Sequence, residues 1–328
     1  MIVKVKIILF LILLKMIYHI YNTMSYNIID RKTKKKINIK KTIFKSILIC
    51  IVYKWNFLGE FNPIINFLIK KIKLYYNSKN IPFKKLNQDP KIEILKFFKL
   101  NNIQINPWIW EKNINEYISI NDFFARKFKY PLPNIQYKNN DNIITSPCEC
   151  KILVFNNVKK MKQIWVKNTK FKLKNIGLND YINGSIAICR LSLNNYHIYH
   201  MPIDGTIINI KSNNKTYSHS VIPVVLHNNN FNIFNNNVLK FLKIYNKNIG
   251  IFTIMIVGGL GIDSINLNNN IKINSYLKKG EDIGEFKYGG SCVVLFFKNN
   301  IVWDEDLRKF SNNNNEVSIN IGEKIGKI

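Results

Sequence analysis

The spacing of apolar residues divides the chain into a helical first part and a strand-rich second part. Between residues 62 and 100, apolar residues recur at intervals of three and four, which is the spacing of an amphipathic helix. Residues 113–127 show the same spacing, and we predict a helix there that Ser119 or Asn121 could cap.

From about residue 143 the pattern changes to short apolar runs separated by turns rich in Asn and Gly. Runs of this kind predict β-strands. The predicted strands are KILVF, GSIAICRLSL, GTIINI, SVIPVVL, IGIFTIMIV and SCVVLFF. Clusters of Asn predict surface loops at 228–230, 235–237, 268–270 and 312–315. We therefore expect an α+β protein in which a helical N-terminal part precedes a β-rich domain of mostly antiparallel sheets.

The N-terminal segment combines an apolar run at residues 7–14 with a basic run at residues 31–41. The apolar run is shorter than the roughly 20 residues that a membrane span needs, which favours a signal-type segment or an anchor. Acidic residues are almost absent before Glu60, so an organelle presequence is a second interpretation. A second apolar patch lies at residues 46–53.

The net charge of +29 would suit nucleic acid or an anionic membrane surface. The chain is also saturated with Lys, Asn and Ile, as a coding bias toward A and T would produce, so the charge alone is a poor guide to partners. No recognised nucleic-acid-binding module is present in the sequence, and we expect no nucleic-acid partner.

The cysteines show no CxxC pair and no regular spacing, so the sequence supports neither a zinc site nor a disulfide framework. We expect reduced, structural cysteines and no metal. The five are Cys50, Cys148, Cys150, Cys189 and Cys292.

Two glycines precede Ser291 at the start of the last long apolar run. This Gly-Gly-Ser is either an ordinary hairpin turn or a place where the serine attacks the preceding carbonyl. His197 and His200, three residues apart, would share a face on a helical turn. They lack a visible third metal ligand, which leaves acid–base work or a purely structural role. Glu149, at a strand entrance, could orient a histidine or be a solvated turn residue.

Taken in order, the motifs of the chain resemble those of phosphatidylserine decarboxylase, a pyruvoyl-dependent family, over roughly residues 85–328. The pair YHxxHMPxDG and KKGExxGxFxxGGS is the most specific part. The motifs are INDFFARKFK, ITSPCECKIL, LSLNNYHIYHMPIDGTI, IFTIMIVGGLGIDSI, LKKGEDIGEFKYGGSCVVLFF and VSINIGEKIGKI.

The resemblance implies self-cleavage between Gly290 and Ser291, giving associated chains 1–290 and 291–328. Ser291 becomes a covalent pyruvoyl cofactor, which forms a Schiff base with phosphatidylserine and yields phosphatidylethanolamine. The family uses an Asp-His-Ser triad for cleavage. We assign His200 as the base and His197 as the proton donor after decarboxylation, although these two roles could be exchanged.

The sequence departs from the family at the acid, where SPxDG is replaced by SPCEC. Glu149 takes the place of Asp, and Cys150 takes the place of a glycine that tolerates positive φ. Asp141 is a less favoured substitute acid. We favour an active enzyme; the alternative is an impaired homologue that binds anionic lipid membranes.

The resemblance also implies partners and a location. A phospholipid substrate favours contact with an anionic membrane surface, at the endoplasmic reticulum or, alternatively, the mitochondrial inner membrane. A homodimer is compatible with the sequence. We predict a targeting or anchor segment at 1–41, a helical membrane-associating region at 42–139 and a catalytic domain at 140–328.

Overall fold

The computed structural model describes most of the chain. The described residues are 2–40, 43–50, 63–101, 110–129, 135–159, 173–213, 237–259, 265–288 and 291–328. Their α-helices are α1 (Ile2–Met24), α2 (Ile43–Ile49), α3 (Pro63–Ser78), α4 (Pro90–Asn101), α5 (Ile120–Phe124) and α6 (Glu305–Asn312).

Most β-strands follow residue 140. The strands are β1 (Ser25–Asp30), β2 (Lys36–Lys40), β3 (Ile143–Thr145), β4 (Cys150–Phe155), β5 (Ile186–Leu191), β6 (Ile198–His200), β7 (Gly205–Ser212), β8 (Leu239–Asn246), β9 (Gly250–Gly258), β10 (Ile265–Leu267), β11 (Tyr276–Leu277), β12 (Asp282–Phe286), β13 (Ser291–Phe297), β14 (Val302–Trp303), β15 (Glu316–Ile319) and β16 (Lys324–Lys327).

The strands form one large sheet and two small ones. The large sheet has ten strands in the order β11-β7-β8-β9-β13-β5-β4-β15-β1-β2. The small sheets have the orders β10-β12-β6 and β14-β16-β3. Among the described strands, β1 and β15 are the parallel pair, and the other neighbours run antiparallel. The prediction of an α+β fold with mostly antiparallel sheets is confirmed.

The predicted strands form as expected wherever they are described, and the run SVIPVVL at 220–226 lies outside the described residues. In the Asn cluster 235–237, only Asn237 is described, and it is fully buried. Its side-chain Nδ2 donates to the carbonyl of Gly258 at 2.7 Å. This asparagine is therefore part of the packed interior and does not sit in a surface loop.

The predicted helix at 113–127 is wrong in its length. Residues Ile120–Phe124 are α-helical, and Ser119 caps them as predicted by accepting a hydrogen bond from the backbone N–H of Asp122 at 3.0 Å. Beyond Phe124 the chain straightens, because the backbone of Phe128 forms an isolated antiparallel bridge with that of Trp110. A tertiary backbone pairing therefore ends the helix before its apolar pattern ends.

The basic run at 31–41 contributes to the fold. Strand β1 pairs with β15, and β2 pairs with β1 at the edge of the large sheet. Between these strands, Arg31 donates to Asp304 at 2.7 Å and to Asp306 at 3.1 Å. Partial burial raises the pKa of Asp306, but its hydrogen bonds and ion pairs with Arg31 and Lys34 outweigh this effect and lower the pKa to about 2. The targeting role of 1–41 stays a prediction.

The central strands of the large sheet are buried along their whole length. Strands β4, β5 and β13 are buried at every position, which explains their continuous apolar runs. Arg190 in β5 forms a buried ion pair with Glu316 in β15, with 4% and 8% of the two side chains exposed. The guanidinium also lies 5.4 Å from the ring centre of Tyr26 in β1.

The helices α1 and α3 expose large apolar side chains. Among the described residues, no helix combines the length and apolarity that crossing a membrane requires. The exposed apolar residues of these two helices include Leu11, Ile12, Leu13, Leu14, Ile17, Phe67 and Leu74.

Candidate active site

The sequence motifs meet at one edge of the large sheet, where β4 and β13 begin and β5 ends. Lys151 in β4 lies opposite Arg190 in β5, and Arg190 lies opposite Cys292 in β13. The starts of β4 and β13 and the end of β5 are therefore at the same level of the sheet. This arrangement brings Glu149 and Ser291 to one edge, although they are far apart in the sequence.

Ser291 is the first residue of β13 and is fully buried. It lies between Leu191 of β5 and Gly258 of β9 in the sheet register. Its Oγ has no hydrogen-bond partner among the described residues. Gly289 and Gly290 lie outside the described residues. Burying a hydroxyl without a hydrogen-bond partner costs free energy, and a catalytic role is one reason for a protein to keep such a group.

His200 is held by the motif that contains Gly280. Its Nδ1 lies 3.0 Å from the backbone carbonyl oxygen of Gly280. A carbonyl oxygen only accepts, so Nδ1 carries the proton in the neutral ring and Nε2 carries the lone pair. Nε2 is buried and has no hydrogen-bond partner among the described residues. His200 is therefore set up to accept a proton at Nε2.

The surroundings of His200 keep it uncharged near neutral pH. Burial lowers the pKa of His200 to about 4, although the carboxylate of Asp282 and the carbonyl of Gly280 oppose this shift. Asp282 lies opposite His200 in the pairing of β12 with β6. One oxygen of Asp282 binds Lys127 at 2.9 Å, and the other is buried without a partner in the described part of the chain.

His197 lies just before β6 and is fully buried. Its ring packs on Phe124 with a centroid distance of 3.7 Å. Neither ring nitrogen has a well-oriented hydrogen-bond partner among the described residues. Burial, followed by the positive charge of Arg126, holds the pKa of His197 well below its ordinary value. Residues Ile198–His200 form a strand, so the two histidines do not share a helical face.

Glu149 binds the segment that directly precedes His197. Its carboxylate accepts a hydrogen bond from the side-chain Nδ2 of Asn195 and another from the backbone N–H of Tyr196 at 3.0 Å. Asn195 Oδ1 in turn accepts from Lys151 Nζ at 3.0 Å and from the backbone N–H of Ser192 at 2.8 Å. The contacts of Glu149 are thus with the loop that leads into His197.

The departures from the family motif cause no visible strain. Cys150 does not have positive φ, so a side chain is tolerated where the family has glycine. Asp141, the less favoured acid, forms an ion pair with Lys247 at 2.8 Å. The Asp141 carboxylate therefore has a partner of its own.

Asp204 joins the two most specific motifs. Its carboxylate accepts from the backbone N–H of Lys279 at 2.7 Å and from the hydroxyl of Tyr276 at 3.0 Å. Gly280 has φ +83, a conformation that favours glycine, and its N–H donates to Met201 at 2.9 Å. The MPIDG turn therefore fixes the carbonyl that orients His200.

The fold adds a third thiol to the C-x-C pair that the sequence shows. The sulfur atoms of Cys148, Cys150 and Cys189 lie within 4.8 Å of one another, and all three residues are fully buried. In the described part of the chain no two cysteines form a disulfide. The spacing of the sequence gave no sign of this cluster, because Cys189 belongs to the neighbouring strand β5.

Sequence reasoning missed several residues of this site. Asn195 is one of many asparagines, so its type did not distinguish it. Arg126 lies in the segment 113–127, whose apolar spacing indicated only an amphipathic helix. Asp282 occupies an unspecified position of the motif KKGExxGxFxxGGS. The pairing of β12 with β6, which sequence alone does not reveal, is the signal that places Asp282 opposite His200.

Comparisons with known proteins identify the family of this chain. The family model described as phosphatidylserine decarboxylase matches residues 120–327. A phosphatidylserine decarboxylase proenzyme of Fusobacterium nucleatum is 34% identical over 250 residues, covering 74% of this chain and 81% of the relative. One from Clostridium tetani is 34% identical over 278 residues, covering 79% and 92%. Phosphatidylserine decarboxylase proenzyme 2 of Komagataella phaffii is 30% identical over 314 residues, covering 93% of this chain but 30% of the relative. The chain belongs to the phosphatidylserine decarboxylase family.

Proposed function

We propose that this protein converts phosphatidylserine into phosphatidylethanolamine after cutting its own chain between Gly290 and Ser291. Membership of the family supports the decarboxylation itself. The buried hydroxyl of Ser291 at the start of β13, which has no hydrogen-bond partner among the described residues, is the single observation that carries the self-processing part.

Ser291 is the nucleophile of the cleavage. Its Oγ adds to the carbonyl carbon of Gly290, the peptide C–N bond breaks, and an ester takes its place. Elimination then removes the Cα proton of residue 291 and breaks its Cβ–Oγ bond, which releases Gly290 as a carboxylate. Water replaces the amino nitrogen of residue 291, which leaves as ammonia, and a pyruvoyl group remains. Intramolecular placement favours the first step, since effective molarities of about 10⁵ M are reached in well-oriented systems.

His200 is the base for this step. A neutral imidazole whose Nδ1–H is bound to the Gly280 carbonyl offers Nε2 to the Ser291 proton. The same proton is then delivered to the departing nitrogen. Glu149 contributes by holding Asn195 and Tyr196, and we assign it the family's acidic position.

The described residues fit a pyruvoyl group at position 291, because the buried serine supplies all of its carbon atoms. When present, this group supplies a ketone that binds the substrate amine and accepts the electrons released with carbon dioxide. His197, buried against Phe124, supplies a proton to the product carbon. The burial of His197 and Ser291 would limit the access of water, and so unselective protonation, at this carbon.

The membrane is the proposed source of the substrate. Helix α3 exposes Phe67 and Leu74 beside Lys70 and Lys71, which suits insertion of apolar groups together with attraction to anionic headgroups. We propose association with anionic lipid, at the endoplasmic reticulum or alternatively at the mitochondrial inner membrane. Sedimentation with phosphatidylcholine vesicles, with and without phosphatidylserine, tests this, and equal binding to both would contradict the electrostatic part.

Intact-mass analysis of the purified protein tests the proposed function. We expect two chains, 1–290 and 291–328, with the smaller one lighter by one ammonia than a chain that starts with serine. Ser291→Ala should give one uncut chain without carbon dioxide release. Ser192→Ala, which removes another buried hydroxyl nearby, is the matched control and should be cut. An uncut wild-type chain, or a cut Ser291→Ala chain, would contradict the proposal.

A further inference from the structure

Asp282 places a carboxylate beside His200. In the antiparallel pairing of β12 with β6, Asp282 lies directly opposite His200. Residues in this relationship project to the same face of the sheet, and their Cβ atoms are about 4.5–5.5 Å apart. The backbone carbonyl of Asp282 accepts a hydrogen bond from Asn268 Nδ2 at 3.1 Å, which ties β12 to the segment after β10. The carboxylate is therefore held near the His200 ring.

Each of these two side chains has one polar atom without a partner. Lys127 Nζ binds Asp282 Oδ2 at 2.9 Å, whereas Oδ1 is buried and has no hydrogen-bond partner among the described residues. The Nε2 atom of His200 is likewise buried and without a partner in that part of the chain. Oδ1 and the lone pair of Nε2 are both acceptors, so they attract each other only after a proton is added. The arrangement thus favours a protonated His200 ring.

Two charged side chains act on His200 from the elements packed against it. Burial is the largest effect and lowers the pKa of His200. Asp282 of β12 acts against burial and raises this pKa, whereas Lys127, which follows α5, lowers it. The carbonyl of Gly280, which accepts from Nδ1, raises it as Asp282 does. A positive charge on His200 is therefore opposed by burial and stabilised by one carboxylate.

We infer that Asp282 is a positioning residue of the self-cleavage, which stabilises the positive charge that His200 acquires when it takes the proton of Ser291. This inference rests on the proposed role of His200 as the base. As Ser291 Oγ adds to the carbonyl carbon of Gly290, its O–H bond breaks and an N–H bond forms at Nε2. The imidazole ring then carries one positive charge. A fixed charge in a buried site acts more strongly on such a developing charge than it would in water.

This role differs from that of Glu149. The carboxylate of Glu149 binds the side chain of Asn195 and the backbone N–H of Tyr196, and so holds the segment before His197. Asp282 instead lies opposite the base itself. Glu149 thus fixes a loop, and Asp282 balances the charge on the base.

The rate of self-cleavage in single variants tests this inference, because Asp282 and Lys127 form one ion pair but act on His200 with opposite signs. Precursors are made by cell-free synthesis, and the cut fraction is measured on gels at timed points and at several pH values near neutrality. We expect Asp282→Asn to slow cleavage about tenfold or more, and Asp282→Glu, which keeps the charge, to lose less. Lys127→Gln breaks the same ion pair but leaves the carboxylate in place, and it should be cut at least as fast as the wild type.

The titration of His200 in the uncut Ser291→Ala protein provides a reading that does not depend on cleavage. NMR of carbon-13-labelled histidine follows the Cε1–H signals, and His200→Gln identifies the relevant signal among the five histidines. Relative to the Ser291→Ala parent, we expect Lys127→Gln to raise the pKa of His200. We expect Asp282→Asn to lower it, or to keep the ring neutral until the protein unfolds.

The outcomes separate this inference from the proposed function. An uncut wild-type chain would contradict the proposed function. A wild-type chain that is cut, with Asp282→Asn cut at the same rate, would overturn this inference alone. Equal slowing by Asp282→Asn and Lys127→Gln would make the ion pair structural and would also overturn it, as would an unchanged pKa of His200 in both variants.

Lys127→Gln decides the matter by itself if Asp282→Asn does not fold. Cleavage at least as fast as in the wild type, together with a raised pKa of His200, would support the inference. Slower cleavage or a lowered pKa of His200 in Lys127→Gln would overturn it.

Discussion

The Nδ1 atom of His200 lies 3.0 Å from the carbonyl oxygen of Gly280, which belongs to the segment leading to Ser291. This one hydrogen bond fixes which nitrogen of the ring is free to take a proton. It also explains why the two specific motifs occur together. One supplies the histidine, and the other supplies both the carbonyl that orients it and the serine that we propose it activates.

The two histidines should fail in different ways when replaced. We expect His200→Ala to leave a single uncut chain, because the Ser291 hydroxyl loses its base. We expect His197→Ala to be cut but to release no carbon dioxide. Gel analysis and a carbon dioxide assay on the same preparations measure both steps. The opposite pattern would show that the two roles are exchanged.

Shortening Glu149 should slow the self-cleavage. Its carboxylate reaches both Asn195 and the backbone of Tyr196. Aspartate is one methylene shorter, and a displacement of about 1 Å can cost roughly 100-fold in rate. Band intensities at timed points after cell-free synthesis measure this rate. Asp141→Asn, which changes the carboxylate paired with Lys247, should have no effect. Faster cutting by Glu149→Asp would instead show that the native residue is an impaired acid.

The low pKa of His200 should make stability depend on pH. The ring has a pKa of about 4 in the folded protein, against about 6.5 unfolded. Between these values the unfolded chain binds more protons, so stability falls as pH falls from about 6.5 to about 4. The slope approaches about 1.4 kcal/mol per pH unit, and the total is about 3 kcal/mol. Denaturant titrations of Ser291→Ala with and without His200→Gln should show this difference. Parallel pH curves would contradict the assignment.

Removing Glu316 should destabilise the sheet. Glu316→Ala leaves the guanidinium of Arg190 buried without its counter-charge, which costs about 3–5 kcal/mol. Denaturant unfolding measures the loss. The control is Asp180→Ala, which breaks an exposed ion pair with Lys298 and should cost less than about 1 kcal/mol. Equal losses in the free energy of unfolding would show that burial does not increase the cost of breaking the ion pair.

The two chains should remain together after cleavage. The smaller chain, 291–328, supplies β13 and β15, and each has a hydrogen-bonded neighbour on both sides in the large sheet. Arg31 adds ion pairs to Asp304 and Asp306 across the two chains. We expect both chains to co-elute in native size-exclusion chromatography and to separate only in denaturant. Loss of the small chain under native conditions would contradict this.

Local patterns predicted much of the fold. Continuous apolar runs such as SCVVLFF predicted buried strands, since only a strand covered on both faces tolerates them. The cap at Ser119 was also visible in the sequence. The pattern failed at residues 113–127, where the backbone pairing of Phe128 with Trp110 overrides local spacing.

The sequence by itself determined the family and the succession of strands along the chain, and it provided Ser291, His197 and His200 as candidates, because these depend on residue type and spacing. The tertiary structure alone decided which nitrogen of His200 carries the proton, that Glu149 binds Asn195 and Tyr196, and that Asp282 lies opposite His200. Each of these depends on contacts between residues far apart in the chain. Their geometry arises only when strands pair and side chains pack, so spacing along the sequence does not encode it locally.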